Sequence, residues 1–295
     1  MIRIISLLAL IALVASCDTE GVKTTPQKDP TTPNKQTQPR VGTDVIDSTK
    51  IDLNAEYDVV DEMTLKNGMK IKWFKHGDGA VVKDGDMIEI DYKVFLENGK
   101  LIDANSLNNM KSVPFMVGFK MQPSWDVALR ELRLGDHVEI FIPYQLARGD
   151  KGVKGVMPAK SNNILKLHVI GLKEPDRVED GGTRIWMFAQ NDQNTLAFGP
   201  DKRMLFHCYI SSPSSPRYYD TQTENTPFNY GFGEPGLVPG LRKALNNTKK
   251  SDLMFVHVPA QEAYGSQGYR DYVKPNEDLL YRIFVMEVKE ESNEN

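Results

Sequence analysis

Residues that could carry covalent or metal chemistry are few in this chain of 295 residues. Only two cysteines occur, Cys17 and Cys208. Cys17 ends an apolar N-terminal run, where its thiol is placed for acylation, so a single thiol remains and no intramolecular disulfide can form. There is no Cys-x-x-Cys pair and no Cys/His cluster with metal-ligand spacing. The five histidines, His76, His137, His168, His207 and His257, are scattered and read as ordinary strand or loop residues. Neither a metal nor a cofactor is expected. What recurs instead is a patterned stretch of aromatic and apolar residues: PFNYGFGEPGLVPGLRKAL at Pro227–Leu245, with a weaker copy, VPFMVGFKMQPSWDVALREL, at Val113–Leu132.

Each copy reads as a strand with alternating aromatic or apolar residues, a Gly/Pro turn, and one short amphipathic helix. In the earlier copy Ser124 is expected to cap the helix, with Trp125, Ala128, Leu129 and Leu132 on one face. In the later copy Leu241, Ala244 and Leu245 form that face, and Asn246 and Asn247 are stop signals. The offset between Pro114–Phe115 and Pro227–Phe228 is about one domain length, which makes the chain a tandem repeat. Strands are expected at Met69–Phe74, Met87–Leu96, His137–Pro143 and Ile164–Leu172, and again at Arg184–Phe188, Met204–Ile210, Leu253–Pro259 and Leu279–Val288. Asn98–Gly99 marks a hairpin, and residues 173–182 read as a charged connector. Antiparallel sheet with one helix per unit is an α+β plan.

Residues 1–17 have the layout of a secretory leader: Arg3, an apolar run Ile4–Val14 too short to span a bilayer, then Ala15 and Ser16 before Cys17. The ending resembles a bacterial lipobox, which makes Cys17 the lipidated new N-terminus and implies membrane attachment through acyl chains such as palmitate. Residues 18–50 are rich in Thr, Pro, Lys, Gln and Asp and read as a solvated tether. A net charge of −4 and a pI near 5.8, with no basic run, argue against a nucleic-acid partner.

In the second unit the following occur in order: Tyr209; Tyr219–Asp220; Pro227–Phe228–Asn229–Tyr230; Gly233 with Leu237–Val238–Pro239–Gly240–Leu241; Ala263–Tyr264–Gly265; Val273 with Pro275; and Tyr281. In this arrangement the chain resembles the FKBP-type peptidyl-prolyl cis/trans isomerases. Leu241 stands where most members have tryptophan, and either Cys208 or Tyr209 can occupy the early aromatic place, the spacing to Tyr219 favouring Tyr209. The first unit keeps Tyr92, Ile102–Asp103, Phe115, Met121–Gln122, Trp125, Val156–Met157–Pro158 and Leu167, but Arg148 replaces the family's tyrosine and Ser124 a glycine. The resemblance implies two tandem FKBP-like domains, 51–175 with a degenerate pocket and 176–290 likened to an active one, before a polar tail at 291–295.

Such enzymes need no acid, nucleophile or metal. The barrier to rotating an Xaa-Pro bond, about 18–20 kcal/mol, reflects lost amide resonance, and a dry pocket that favours the twisted amide lowers it. By resemblance, Tyr209, Tyr219, Leu237, Leu241, Val273 and Tyr281 line the proline pocket with Phe228. The Val238 N–H and the Tyr264 hydroxyl donate to substrate carbonyls, and Asp220 holds the polar wall. Tyr92, Asp103, Phe115, Trp125 and Met157 form the degenerate first site. Two classes of function are therefore expected: a lipid-anchored isomerase acting on proline-containing exported polypeptides in a bacterial cell envelope, or a non-catalytic module that grips such segments.

Overall fold

The computed structural model describes residues 51–108, 110–190, 196–216 and 219–291. The leader, Cys17 and the tether lie outside the described residues, as do the last four residues of the tail. The first unit contains β1 (Asp61–Thr64), β2 (Lys70–Lys75), β3 (Met87–Leu96), β4 (Leu101–Ala104), β5 (Val113–Met116), α1 (Pro123–Leu129), β6 (His137–Ile142) and β7 (Asn163–Leu172). The second contains β8 (Arg177–Val178), β9 (Arg184–Ala189), β10 (Lys202–Ser211), β11 (Tyr219–Asp220), β12 (Phe228–Gly231), α2 (Pro239–Leu245), β13 (Leu253–Val258) and β14 (Leu279–Glu290).

The two sheets have one topology. The first runs β1-β2-β6-β7-β3-β4 with β5 also on β3, and the second runs β8-β9-β13-β14-β10-β11 with β12 also on β10, all pairs antiparallel. In each unit the helix buries its apolar side on one face of the sheet: Ala128, Leu129 and Leu132 pack with Ile88, Ile90 and Leu167, and Leu241, Ala244 and Leu245 with Met204, Val256 and Ile283. This is the expected tandem α+β fold.

Both helices start at a proline in the first helical position, where the missing N–H is no loss. Gln122 and Val238, which precede Pro123 and Pro239, are held extended at ψ 97° and 150°, as residues before proline must be. Ser124 is therefore not the cap. Gln122 takes the N-cap position without a side-chain bond, and Ser124 falls inside the first turn. At the other end of α2, Asn246 is the C-cap and Asn247 takes φ +63°. The segment read as a connector holds β8, which pairs with β9, and β14 runs to Glu290, beyond the expected Val288.

The second sheet is buried on both faces at β13. In β6 burial alternates over part of the strand, whereas all six residues of β13 are buried. The reason is the first unit, which packs on the outer face of the second sheet: Met87, Met116 and Phe119 from the first unit join Trp186, Phe255 and Leu280 from the second in one buried cluster. The Phe119 and His257 rings meet edge to face at 5.6 Å, and the Trp186 Nε1–H donates to the Lys173 carbonyl at 2.8 Å.

Candidate functional site: two aromatic pockets

In the second unit the strands and α2 bring most of the nominated residues to one place. Val238, Leu241, Val273 and Tyr281 are buried in the inner core, and Tyr219, Phe228, Leu237 and Tyr264 pack against it half-buried, forming a lip. Phe228 stacks on Phe206 at 5.3 Å and meets Tyr219 at 5.7 Å. Val238 sits at the mouth of α2 by the proline rule given above.

One nominated residue, Tyr209, is placed elsewhere. Cys208 points into the core with Phe206 and Ile210, and Tyr209 points the other way, its hydroxyl donating to the Pro216 carbonyl. The cause is plain strand alternation: Met204, Phe206, Cys208 and Ile210 all enter the second core, so Tyr209 falls on the opposite face, and the irregularity opposite Leu205 and Phe206 lies in β14, where Met286 is skipped between Glu287 and Val285. A shared hydrogen bond identifies the counterparts: the Tyr92 N–H donates to Asn105 Oδ1 at 2.8 Å, and the Cys208 N–H donates to Thr221 Oγ1 at 2.9 Å. Cys208 is thus the structural equivalent of Tyr92, and Tyr209 is not a pocket residue. Burial pushes the Cys208 thiol well above its ordinary range, which makes it an inert core group. Asp220 accepts from the N–H groups of Gln222 and Thr223 at 2.9 and 3.2 Å, capping its own turn.

Spacing gave no sign of one group at the second site. Tyr264 stacks on Tyr269 at 4.7 Å with ring planes 17° apart, and Tyr269 in turn faces Tyr272 at 6.5 Å. Arg270 lies 5.4 Å over the Tyr269 ring. The tyrosine nominated as a donor is therefore one rung of an aromatic ladder along the lip.

The first unit has a pocket of a different make. Trp125 is its floor, met edge-on by Tyr92 at 5.0 Å and stacked by Phe115 at 5.9 Å. The Tyr92 hydroxyl is hydrogen-bonded to the Asp103 carboxylate, whose desolvation raises its pKa to about 6 against the lowering effects of that bond and of nearby Arg148. Two hollows share Asp103, Gln122 and Trp125. One holds Met157 and Arg148. The other opens between Tyr92, Phe115 and Trp125 on one side and Phe188, Leu253, Phe255 and Arg282 of the second unit on the other.

Among the described residues no group of His, Cys, Asp or Glu is disposed to hold a metal ion, and no helix is long and apolar enough to cross a membrane. The sequence profile of the FKBP-type peptidyl-prolyl cis-trans isomerases matches residues 79–170 and 200–286. The chain belongs to this family.

This FKBP is 30% identical over 109 residues to FK506-binding protein 1A of Neurospora crassa, covering 36% of the chain and 90% of the relative. It is 21% identical over 212 residues to human peptidyl-prolyl cis-trans isomerase FKBP10, covering 70% of the chain and 35% of that protein, so it spans about a third of the human relative's length. Over 112 residues it is 29% identical to the outer membrane protein MIP of Legionella longbeachae, covering 38% of the chain and 47% of the relative.

Proposed function

We propose that this protein is a peptidyl-prolyl cis/trans isomerase whose catalytic site is the aromatic pocket of the second domain, working on exported polypeptides from a lipid anchor at Cys17. The observation that carries the reading is the convergence of Phe228, Tyr219, Leu237, Val238, Leu241, Val273 and Tyr281 on one lip-and-floor arrangement beside Tyr264. A proline ring seated there loses its water, and the twisted amide, whose carbonyl is less polarised, is favoured over the planar one by the apolar surroundings. The Val238 N–H at the start of α2 and the Tyr264 hydroxyl supply the carbonyl donors. Tyr209, on the face of β10 away from the core, has no part in the pocket wall.

The envelope setting is supported by the leader-like residues 1–17 and by the name of the Legionella relative, an outer membrane protein. The first domain favours a second activity, binding without turnover. Arg148 stands beside Asp103 where the family has tyrosine, so the carbonyl donor is replaced by a charge committed to a carboxylate.

Exchange NMR of an Ala-Leu-Pro-Phe peptide with the full chain tests both statements. Acceleration that falls about tenfold or more in Phe228→Ala and is unchanged in Phe115→Ala is expected. Equal turnover in wild type and Phe228→Ala overturns the catalytic assignment.

A further inference from the structure

The hollow beside Trp125 has a wall that does not belong to the first domain. Along β13, Met254 and Val256 enter the second core, while Leu253 and Phe255 point outward, and Phe188 of β9 packs edge to face on Phe255 at 4.9 Å. The space is also continuous with the packed seam between the domains, because Met121, Phe188 and Phe255 belong to both. A proline ring against Phe115 and Trp125 covers one side of such a slot and leaves the other wet. An occupant that dries both sides carries a second large apolar group next to the proline.

We infer that the first binding site is completed by the second domain and takes proline-containing segments with an aromatic or large aliphatic residue beside the proline. The proline lies on Trp125 and Phe115, and its neighbour lies on Phe188, Leu253 and Phe255. This rests on the reading that these domains take proline-containing segments, and it makes Phe188 and Leu253 specificity residues for a pocket on another domain.

The three tryptophans report separately by their indole N–H signals. Trp73 is held by Asp136 at 2.9 Å and Trp186 by the Lys173 carbonyl at 2.8 Å, while Trp125 lines the hollow. The full chain is titrated with Ala-Phe-Pro-Phe and with Ala-Ala-Pro-Ala. The expected result is a Trp125 shift with tighter binding of the Phe peptide. Phe188→Ala is expected to weaken that peptide about fivefold and leave the Ala peptide unchanged, so that the preference is lost. If Phe188→Ala disturbs the seam, seen as a moved Trp186 signal before peptide is added, Leu253→Val probes the same wall with a smaller change and a smaller expected loss. Equal affinity for the two peptides, or a preference that survives both variants, overturns the inference. A Trp125 signal unmoved by either peptide, while Phe228-dependent exchange continues, also overturns it and leaves the catalytic reading of the second site standing. Loss of exchange with Trp125 binding intact sinks only the catalytic reading.

Discussion

The Tyr92 hydroxyl and the Asp103 carboxylate are hydrogen-bonded inside the first pocket, and burial there raises the Asp103 pKa to about 6. A carboxyl whose folded pKa lies above its unfolded value binds its proton more tightly in the fold. Its contribution to stability is therefore greatest below the unfolded value of 3.8 and is lost as pH rises through about 6. Relative to wild type, Asp103→Asn is expected to gain stability between pH 4 and 7, read as a rising denaturant midpoint, with little difference at pH 3.5, below the unfolded value. The indole signal of Trp125, which shares the pocket with Asp103, should titrate near pH 6 in wild type and not in the variant. A flat Trp125 signal in wild type would remove Asp103 from the pocket's charge balance.

His137 has the opposite sign. It packs against Tyr57 at 4.7 Å and Phe74 at 5.1 Å on the outer side of the first sheet, and burial, with His168 and Lys166 nearby, lowers its pKa to about 4. Here the unfolded chain takes the proton first, so stability is present above pH 6.5 and is lost on acidification toward about 4. Because Asp103 and Asp126, both raised to about 6, work against this over much of the same window, the wild-type curve alone is ambiguous. The difference between wild type and His137→Gln isolates it. Wild type should lose more stability than the variant between pH 7 and 4.5, measured by urea midpoints, and parallel curves would contradict the assignment.

The repeat, the strands and the two helices were legible because each carries its own local signal: alternation in MIEIDYKVFL, a proline opening each helix, Asn246–Asn247 closing one. The seam between the domains was written more faintly, in the contrast between HVEIFI, which alternates, and LMFVHV, which does not. A strand buried on both faces loses the alternation, and that difference between otherwise matching strands was the readable sign of a covered outer face. The place of Cys208 was readable in the same way, since Met204, Phe206, Cys208 and Ile210 alternate without a break, and the spacing from Tyr209 to Tyr219 pointed to the wrong neighbour. What was not readable is the irregularity in β14, where Met286 is skipped between Glu287 and Val285 and the faces exchange without any change in composition.

The two helices also differ in how close they come to the sheet. A Cβ added at Gly240 would lie 2.6 Å from Val258 Cγ1 and 3.1 Å from Glu262 Cβ, whereas the first helix carries Ser124 at the matching place. Gly240→Ala is expected to cost about 1–3 kcal/mol by overpacking, despite the better helix propensity of alanine. Ser124→Ala, beside a hollow, should change stability by only about 0.5 kcal/mol or less. Thermal or denaturant unfolding of the two variants checks this, and a stabilised Gly240→Ala would mean that α2 can move away from β13 at little cost.

Tyr264 and Tyr269 form the closest stack of the lip, with ring centroids 4.7 Å apart. If the Tyr264 hydroxyl donates to the substrate carbonyl, Tyr264→Phe keeps the stack and loses the bond, and kcat/KM should fall about fivefold, the value of one ordinary hydrogen bond. Tyr269 has another role, holding the Tyr264 ring in place, so Tyr269→Leu should lower kcat/KM through the same hydroxyl. The two effects then share one cause and cannot add: Tyr269→Leu on the Tyr264→Phe background should cost much less than it does alone. Full additivity in that cycle would instead mean that Tyr269 meets the substrate directly and that the ladder is a binding track. The split between KM and kcat separates the cases further, since a track strengthens ground-state binding and appears in KM, while a positioned donor appears in kcat.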